Sequence, residues 1–150
     1  MKGFDKAISD LQAIAKRTAD PKLGLQAVGR MARARHESYF RSHIGAQPAI
    51  GGGPPGDPWR GLRAATAEQK NKRGKTRKLI DRGTLMKRFR WLQRGDSVLV
   101  YNEDLEKVAN LQGRLGFTVV ATDPERQDPE MLDKANRIMA NFIWDGKAKE

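Results

Sequence analysis

The 150-residue chain contains no cysteine. This excludes disulfides, thiolate metal sites and cysteine nucleophiles, and it fits synthesis in a reducing compartment. No apolar run approaches the roughly 18–20 residues that a membrane helix needs, and the N-terminus lacks the apolar core of a signal peptide. We therefore expect a protein that is soluble and cytoplasmic after synthesis, with no membrane partner.

Hydrophobic and aromatic residues are also scarce, at 38% and 7% of the chain, and the mean hydropathy is −0.72. A chain of this length is most simply one domain, since about 150 residues bury roughly 68–70% of their unfolded surface. The core is expected to be modest. Part of the chain is therefore expected to be exposed or to become ordered only against a partner.

The positive charge is concentrated in one segment, from Lys70 to Arg94, which we call the cationic segment. The whole chain carries a net charge of +11, and this segment alone carries eleven basic residues and one acidic residue, Asp81. The remaining 18 basic and 17 acidic residues nearly cancel. The candidate interaction residues are Lys70, Lys72, Arg73, Lys75, Arg77, Lys78, Arg82, Lys87, Arg88, Arg90 and Arg94.

Apolar spacing and turn residues predict an α+β fold: an N-terminal helical hairpin, a small and mostly antiparallel sheet, and a C-terminal helix. The parts of this single domain are residues 1–44, a helical hairpin; 45–58, a loop rich in glycine and proline; 59–121, a basic helix with a β-hairpin sheet; and 122–150, the C-terminal helix. Trp59 and Leu62 follow the loop directly. We interpret them as its anchor to the core.

Local signals set the predicted boundaries. The first two helices are expected over about 4–18 and from after Pro21 to about Ser42. A third begins with Thr66 as its cap and runs to about Arg73, and a fourth covers 103–112 with Gly113 as its stop. The last begins at Asp128 or Pro129 and is ended by Trp144-Asp145-Gly146. Strands are expected over 78–80, 84–92, 97–101 and 117–121. The second and third of these form a hairpin, with Leu85, Phe89 and Trp91 on one face.

No pattern in the chain indicates catalysis, a metal or a cofactor. His36 and His43 are about two helical turns apart, too far to share a metal, and they are interpreted as partly exposed helix residues. The glycine-rich stretch 51–56 lacks the phosphate-loop pattern, and its prolines remove amide donors. The acidic residues Asp123, Glu125, Asp128 and Glu130 suit a helix start better than acid–base chemistry.

The cationic segment has two functional interpretations, which the residues leave open. It can follow nucleic-acid phosphates, with Phe89 and Trp91 available to stack on bases. It can instead face an acidic ring of neighbouring proteins. A solvated surface is the usual fate of a run of charges, but a net charge of +10 within 25 residues exceeds what solubility requires. No helix-turn-helix, zinc-finger or RNA-recognition signature is present.

The central stretch, over about residues 45–112, resembles a tailed-phage family: the Mu-like virion morphogenesis proteins and the related tail-completion proteins of P2-like phages. The resemblance depends on order and spacing. A loop rich in glycine and proline leads to Trp59-Arg60-Gly61-Leu62, then to a threonine opening a basic helix over 66–72. The stretches 78–85 (KLIDRGTL) and 97–102 (SVLVYN) follow. The family's later tyrosine and histidine are absent from 105–113, and its approach to the last helix is replaced by 122–126.

This resemblance implies a structural role without catalysis. The chain would complete the tail or join tail to head, as one subunit of a ring, a hexamer by the same resemblance, in the virion neck. It would assemble in the host cytoplasm beside other neck and tail proteins, with DNA passing through the lumen. The alternative is a sequence-nonspecific nucleic-acid-binding protein.

Overall fold

The chain forms six helices and one β-hairpin over the residues described by the computed structural model, which are 2–42, 44–46, 56, 63–74, 84–115 and 127–149. In chain order these elements are α1 (Lys2–Ala19), α2 (Lys22–Ser42), α3 (Ala64–Lys72), α4 (Thr84–Lys87), β1 (Phe89–Arg94), β2 (Ser97–Asn102), α5 (Leu105–Leu115) and α6 (Pro129–Asp145). The predicted α+β class is confirmed.

Helix α2 is the element on which α4, both strands of the hairpin and α6 pack. It begins after Pro21, where the Lys22 amide donates to Oδ1 of Asp20 at 3.3 Å and the Leu25 amide donates to the Pro21 carbonyl at 2.9 Å. Its apolar positions recur at helical spacing and are buried: Leu25, Ala27, Ala32, Tyr39 and Phe40. One side of α2 contacts α6 and another contacts both strands of the hairpin, so α2 lies between the two.

The hairpin is antiparallel, with Phe89 opposite Asn102, Trp91 opposite Val100, and Arg94 opposite Ser97 at the turn. Gly95 takes a φ of +59° in this turn, a conformation that favours glycine. Phe89 is fully buried on the inner face. Two atoms of the Trp91 ring, Cδ2 and Cε3, come within 2.4 Å of where a Cβ on Gly29 would lie. Residue 29 thus lets α2 approach the sheet closely because it has no side chain.

The predicted start of the first hairpin strand is wrong, because Thr84–Lys87 form a helical turn and the strand begins at Phe89. The reason is a long-range contact. The buried Asn102 side chain donates from Nδ2 to the Leu85 carbonyl at 2.8 Å, while its Oδ1 accepts from the Asp104 amide at 3.0 Å. The bond from Asn102 gives the Leu85 carbonyl a hydrogen-bond donor. It also holds Leu85 in the core, where that residue is 4% exposed.

Two further helix boundaries differ from those predicted. Helix α3 begins at Ala64, with Arg63 at the cap position and no capping side chain, so Thr66 is not the cap. Residues 64 and 65 are both alanine, which has the highest helix propensity, and they extend the helix towards the N-terminus. Helix α5 continues through Gly113 to Leu115. A glycine inside a helix costs only about 1 kcal/mol, which is too little to stop it here.

The start and end of α6 are as predicted. Asp128 is the N-cap, its Oδ1 accepts from the Glu130 amide at 3.1 Å, and Pro129 is the first helical residue. Gly146 ends the helix at a φ of +73°. The predicted strands over 78–80 and 117–121, and the loop anchor Trp59 and Leu62, lie outside the described residues.

Candidate interaction surfaces

The structure describes seven of the eleven candidate cations. Lys70, Lys72 and Arg73 lie on or next to α3, a helix that buries none of its residues. The hairpin and the turn before it carry the other four, which are Lys87, Arg88, Arg90 and Arg94. Lys75, Arg77, Lys78 and Arg82 lie outside the described residues.

Acidic neighbours pair with several of these cations. Nη1 of Arg88 lies 3.1 Å from Oδ2 of Asp104, and Nε of Arg90 lies 3.0 Å from Oε1 of Glu103. On α3, Lys72 pairs with Glu68 at 3.0 Å, four residues earlier. Exposed pairs of this kind contribute only about 0–1 kcal/mol to stability. Their effect is to lower the net charge that the cationic segment presents to a partner.

The two aromatic residues proposed for base stacking face the protein. Phe89 is 0% exposed, with its ring centroid 5.6 Å from that of Phe40 and 5.7 Å from that of His36. The Trp91 ring lies against α2 at Gly29. The prediction that these rings are available to nucleic-acid bases is therefore wrong, because the hairpin buries its aromatic face against α2.

The opposite side of the hairpin, which we call the outer hairpin face, carries Arg90, Leu92 and Arg94 on β1 and Ser97, Leu99 and Tyr101 on β2. Leu92 and Leu99 are directly opposite each other and are 51% and 52% exposed. On this face Arg90 precedes Leu92 and Arg94 follows it. The surface is an apolar pair framed by cations, which suits an apolar contact with an acidic border.

Helix α1 carries a second exposed apolar surface, which we call the α1 stripe. It consists of Phe4, Ile8 and Leu11, which are 76%, 44% and 65% exposed. These positions recur at intervals of four and three residues, so they lie on one side of the helix. An amphipathic helix normally turns such a stripe to a core. Here the stripe faces away from the elements that the structure describes.

A buried polar cluster joins α2 to the start of α6. Oδ2 of Asp128 accepts hydrogen bonds from Nε of Arg35, at 2.8 Å, and from the Tyr39 hydroxyl. Burial raises the pKa of Asp128, but the hydrogen bonds from Tyr39 and Arg35 outweigh it and hold the pKa below its ordinary value. Burial and the bond to Asp128 raise the pKa of Tyr39. Asp128 is 0% exposed, so its buried carboxylate ties the two helices together.

His36 is buried, which corrects the prediction that it is partly exposed. It is 3% exposed, and its Nδ1 lies 2.9 Å from the Ala32 carbonyl, to which the neutral ring donates. Nε2 has no partner among the described residues. Burial lowers the pKa of His36. The sequence did carry a signal, because residue 36 falls on the same helical stripe as Leu25, Ala32 and Tyr39. His43 lies outside the described residues.

A groove of about 390 Å³ runs between α2, α6 and the residues that follow α6. Ala27, Met31 and Ile138 line its apolar part, and Arg30 and Lys149 stand at its border. Ser38 also lines the groove, and its hydroxyl donates to the Arg35 carbonyl at 2.7 Å. No group of three or more histidine or acidic residues in the described ranges could hold a metal ion. No described helix is long and apolar enough to cross a membrane.

Comparison with known proteins returned no match: no family model, no curated protein and no solved structure matches this chain.

Proposed function

We propose that this chain is a structural, non-enzymatic subunit of phage virion assembly. It completes the tail or joins the tail to the head, as one of several copies in a ring in the neck. The resemblance of the central stretch motivates the proposal, and the observation that carries it is the outer hairpin face. A regular, well-formed hairpin that leaves two opposed leucines half exposed between arginines is built to meet another protein surface.

A ring requires a contact between two different patches on each copy, repeated until it closes. The outer hairpin face is one such patch. Burying Leu92 and Leu99 supplies the apolar part of the contact, and Arg94, whose side chain has no partner among the described residues, supplies charge for an acidic patch opposite. In the virion the same cations would face either the next copy, a neighbouring tail protein, or DNA in the lumen.

The test is the mass of the purified chain by light scattering, with negative-stain electron microscopy of the same samples. We expect a discrete assembly larger than a dimer, visible as rings, either alone or on purified tails. Leu92→Asp and Leu99→Asp should abolish it. The matched control is Leu105→Asp, which places the same charge at a leucine that is 65% exposed and outside this face. A chain that never exceeds a dimer under any of these conditions contradicts the proposal.

The nucleic-acid alternative gives a different result in the same samples. Of the seven candidate cations that the structure describes, Arg73, Lys87 and Arg94 have no side-chain partner among the described residues. If these three contact phosphates, the logarithm of the binding constant for duplex DNA should fall with the logarithm of salt concentration at a slope of about −3. The assembly proposal expects the monomer to bind short duplex DNA only weakly. A slope of this size or steeper, shared by unrelated DNA sequences, would favour the alternative.

A further inference from the structure

We propose that the β-hairpin, with the helical turn before it, detaches from α2 as one unit when the His36 ring takes up a proton. This unit, which we call the hairpin unit, covers residues 84–104. Its detachment would expose the aromatic face of the hairpin while α2 and α6 stay joined. The inference goes beyond the proposed function and does not depend on it, because it concerns the opposite side of the sheet from the outer hairpin face.

The hairpin unit makes its polar contacts within itself. They are the bond from Asn102 to the Leu85 carbonyl, the bond from the Glu103 amide to the Arg88 carbonyl at 3.1 Å, and the ion pairs of Arg88 with Asp104 and of Arg90 with Glu103. Among the residues that the structure describes, no hydrogen bond or ion pair joins this unit to α2 or α6. Its described contacts with α2 are the packing of apolar and aromatic side chains, so the unit can separate from α2 with its own bonds intact.

The junction between α2 and α6 is different, because a buried carboxylate fixes it. Oδ2 of Asp128, at the start of α6, accepts from Nε of Arg35 at 2.8 Å and from the Tyr39 hydroxyl. Although burial raises it, the pKa of Asp128 is held below its ordinary value by the hydrogen bonds from Tyr39 and Arg35. Asp128 therefore keeps its charge at pH values where a histidine of ordinary pKa takes up a proton. Mild acid leaves this junction in place.

His36 lies at the other junction, between α2 and the hairpin unit. Its ring is 3% exposed, with its centroid 5.7 Å from that of Phe89. Nδ1 lies 2.9 Å from the Ala32 carbonyl, and Nε2 has no hydrogen-bond partner in the part of the chain that the structure describes. A proton on Nε2 would place a positive charge and an N–H donor in the interior without an acceptor, which is strongly unfavourable. Water can reach this atom if the hairpin unit moves away.

The groups that face His36 do not offset this cost. On the helical turn Lys87 is exposed. On α2, burial raises the pKa of Tyr39, which stays neutral. The Asp128 carboxylate favours a charged ring, but Arg35 already pairs with it. Burial lowers the pKa of His36 by more than the Ala32 carbonyl and Asp128 raise it. The inward-facing strand residues carry no titratable group: they are Phe89, Trp91 and Gln93 on β1, and Val98, Val100 and Asn102 on β2.

The direction of the pH effect follows from the two states of His36. Because the pKa of His36 is lower in the docked form, the undocked form binds more protons, and lowering the pH favours undocking. One proton is involved, so the undocked fraction should rise by at most about tenfold for each pH unit below about 6.5. The effect ends where the docked ring also becomes protonated.

Thiol labelling tests this opening, because the chain contains no cysteine of its own. Leu85→Cys places a reporter in the hairpin unit at a position that is 4% exposed. Ile138→Cys, at a position on α6 that is 2% exposed, is the matched control for opening of the whole chain. Labelling with an aromatic disulfide is followed from neutral pH to about pH 5, and each rate is divided by that of the same variant unfolded in urea at the same pH. We expect Leu85→Cys to react at least about tenfold faster than Ile138→Cys at each pH, and its relative rate to rise towards acid by up to about tenfold per pH unit.

Two variants of His36 then test the source of the pH dependence. His36→Gln and His36→Leu, each combined with Leu85→Cys, should remove the rise towards acid, because neither side chain takes up a proton in this range. Circular dichroism shows which of them is folded, and one folded variant is sufficient. Equal relative rates for the two cysteines would mean that the hairpin unit opens only when the whole chain unfolds, and would overturn the proposal. A rise towards acid that persists in the folded His36 variant would overturn it as well, because another group would then take up the proton.

Discussion

Replacing Gly29 with alanine should destabilise the chain, although alanine is the better helix former. A Cβ at residue 29 would lie 2.4 Å from both Cδ2 and Cε3 of Trp91. Carbon atoms pack best at about 3.5–4.0 Å, so α2 and the hairpin must separate or the ring must leave its position. Overpacking of this kind costs about 1–3 kcal/mol. The gain in helix propensity, about 1 kcal/mol, offsets part of this. Because two ring atoms lie this close, we expect a cost in the upper part of that range, about 2–3 kcal/mol. The net loss in the free energy of unfolding is then about 1–2 kcal/mol.

The assay is urea unfolding followed by circular dichroism, at one protein concentration for all variants because self-association also changes the midpoint. In a Trp91→Leu background the ring is gone, and Gly29→Ala should then be neutral or stabilising. The double-mutant cycle should show a coupling of about 2 kcal/mol between the two positions.

Gly24→Ala is the matched control. A Cβ at Gly24 would lie 2.8 Å from Sδ of Met139 and 2.9 Å from Cδ1 of Phe142. Both distances are longer than the 2.4 Å at Gly29, and the thioether is the flexible part of a methionine side chain, so we expect a smaller loss than at Gly29. If Gly29→Ala unfolds at the same or a higher urea concentration than the natural chain, α2 and the hairpin do not approach each other this closely.

Two further predictions concern the buried polar groups. Asp128→Ala should lower the free energy of unfolding by about 3 kcal/mol, because Arg35 and Tyr39 lose their shared acceptor and α6 loses its cap. Asp128→Asn can still cap the helix and should recover about 1 kcal/mol of this loss. An equal loss in both variants would mean that the cap contributes nothing. Because the pKa of His36 is lower in the folded chain, the unfolded chain binds more protons, so stability should fall as pH drops below about 6.5, by at most about 1.4 kcal/mol per pH unit. His36→Gln should remove the pH dependence of the free energy of unfolding in the range between neutral pH and the pKa values of carboxylates. If the variant keeps the full dependence on pH, a group other than His36 is responsible for it.

Features governed by neighbouring residues could be predicted from the sequence. Pro21 marks the boundary between α1 and α2, and Asp128 with Pro129 marks the start of α6, because caps and prolines act on the few residues next to them. The antiparallel strands flanking Gly95 follow from the same kind of local signal. Local signals of this kind are sufficient to predict the α+β class.

Features governed by distant residues could not be predicted. The turn over 84–87 depends on Asn102, and the orientation of Trp91 depends on a glycine 62 positions earlier. The Arg35–Asp128 pair joins residues 93 positions apart. Alternation along a strand shows that two faces differ, but it does not show which face meets the core when both carry large residues. For this reason the sequence alone leaves the aromatic face of the hairpin open to a binding role that the packing against α2 excludes.

The packing of α2 against α6 has a consequence for how the chain is made. The two helices contact each other although they are far apart in the sequence, since α2 ends at Ser42 and α6 begins at Pro129. At a synthesis rate of roughly 5–20 residues per second, α6 begins to be made on the order of 5–20 s after α2 is finished. During that time the side of α2 that carries Gly24 and Ala27 has no helix to cover it. The yield of folded chain should therefore depend on translation speed and on chaperones that shield a nascent helix.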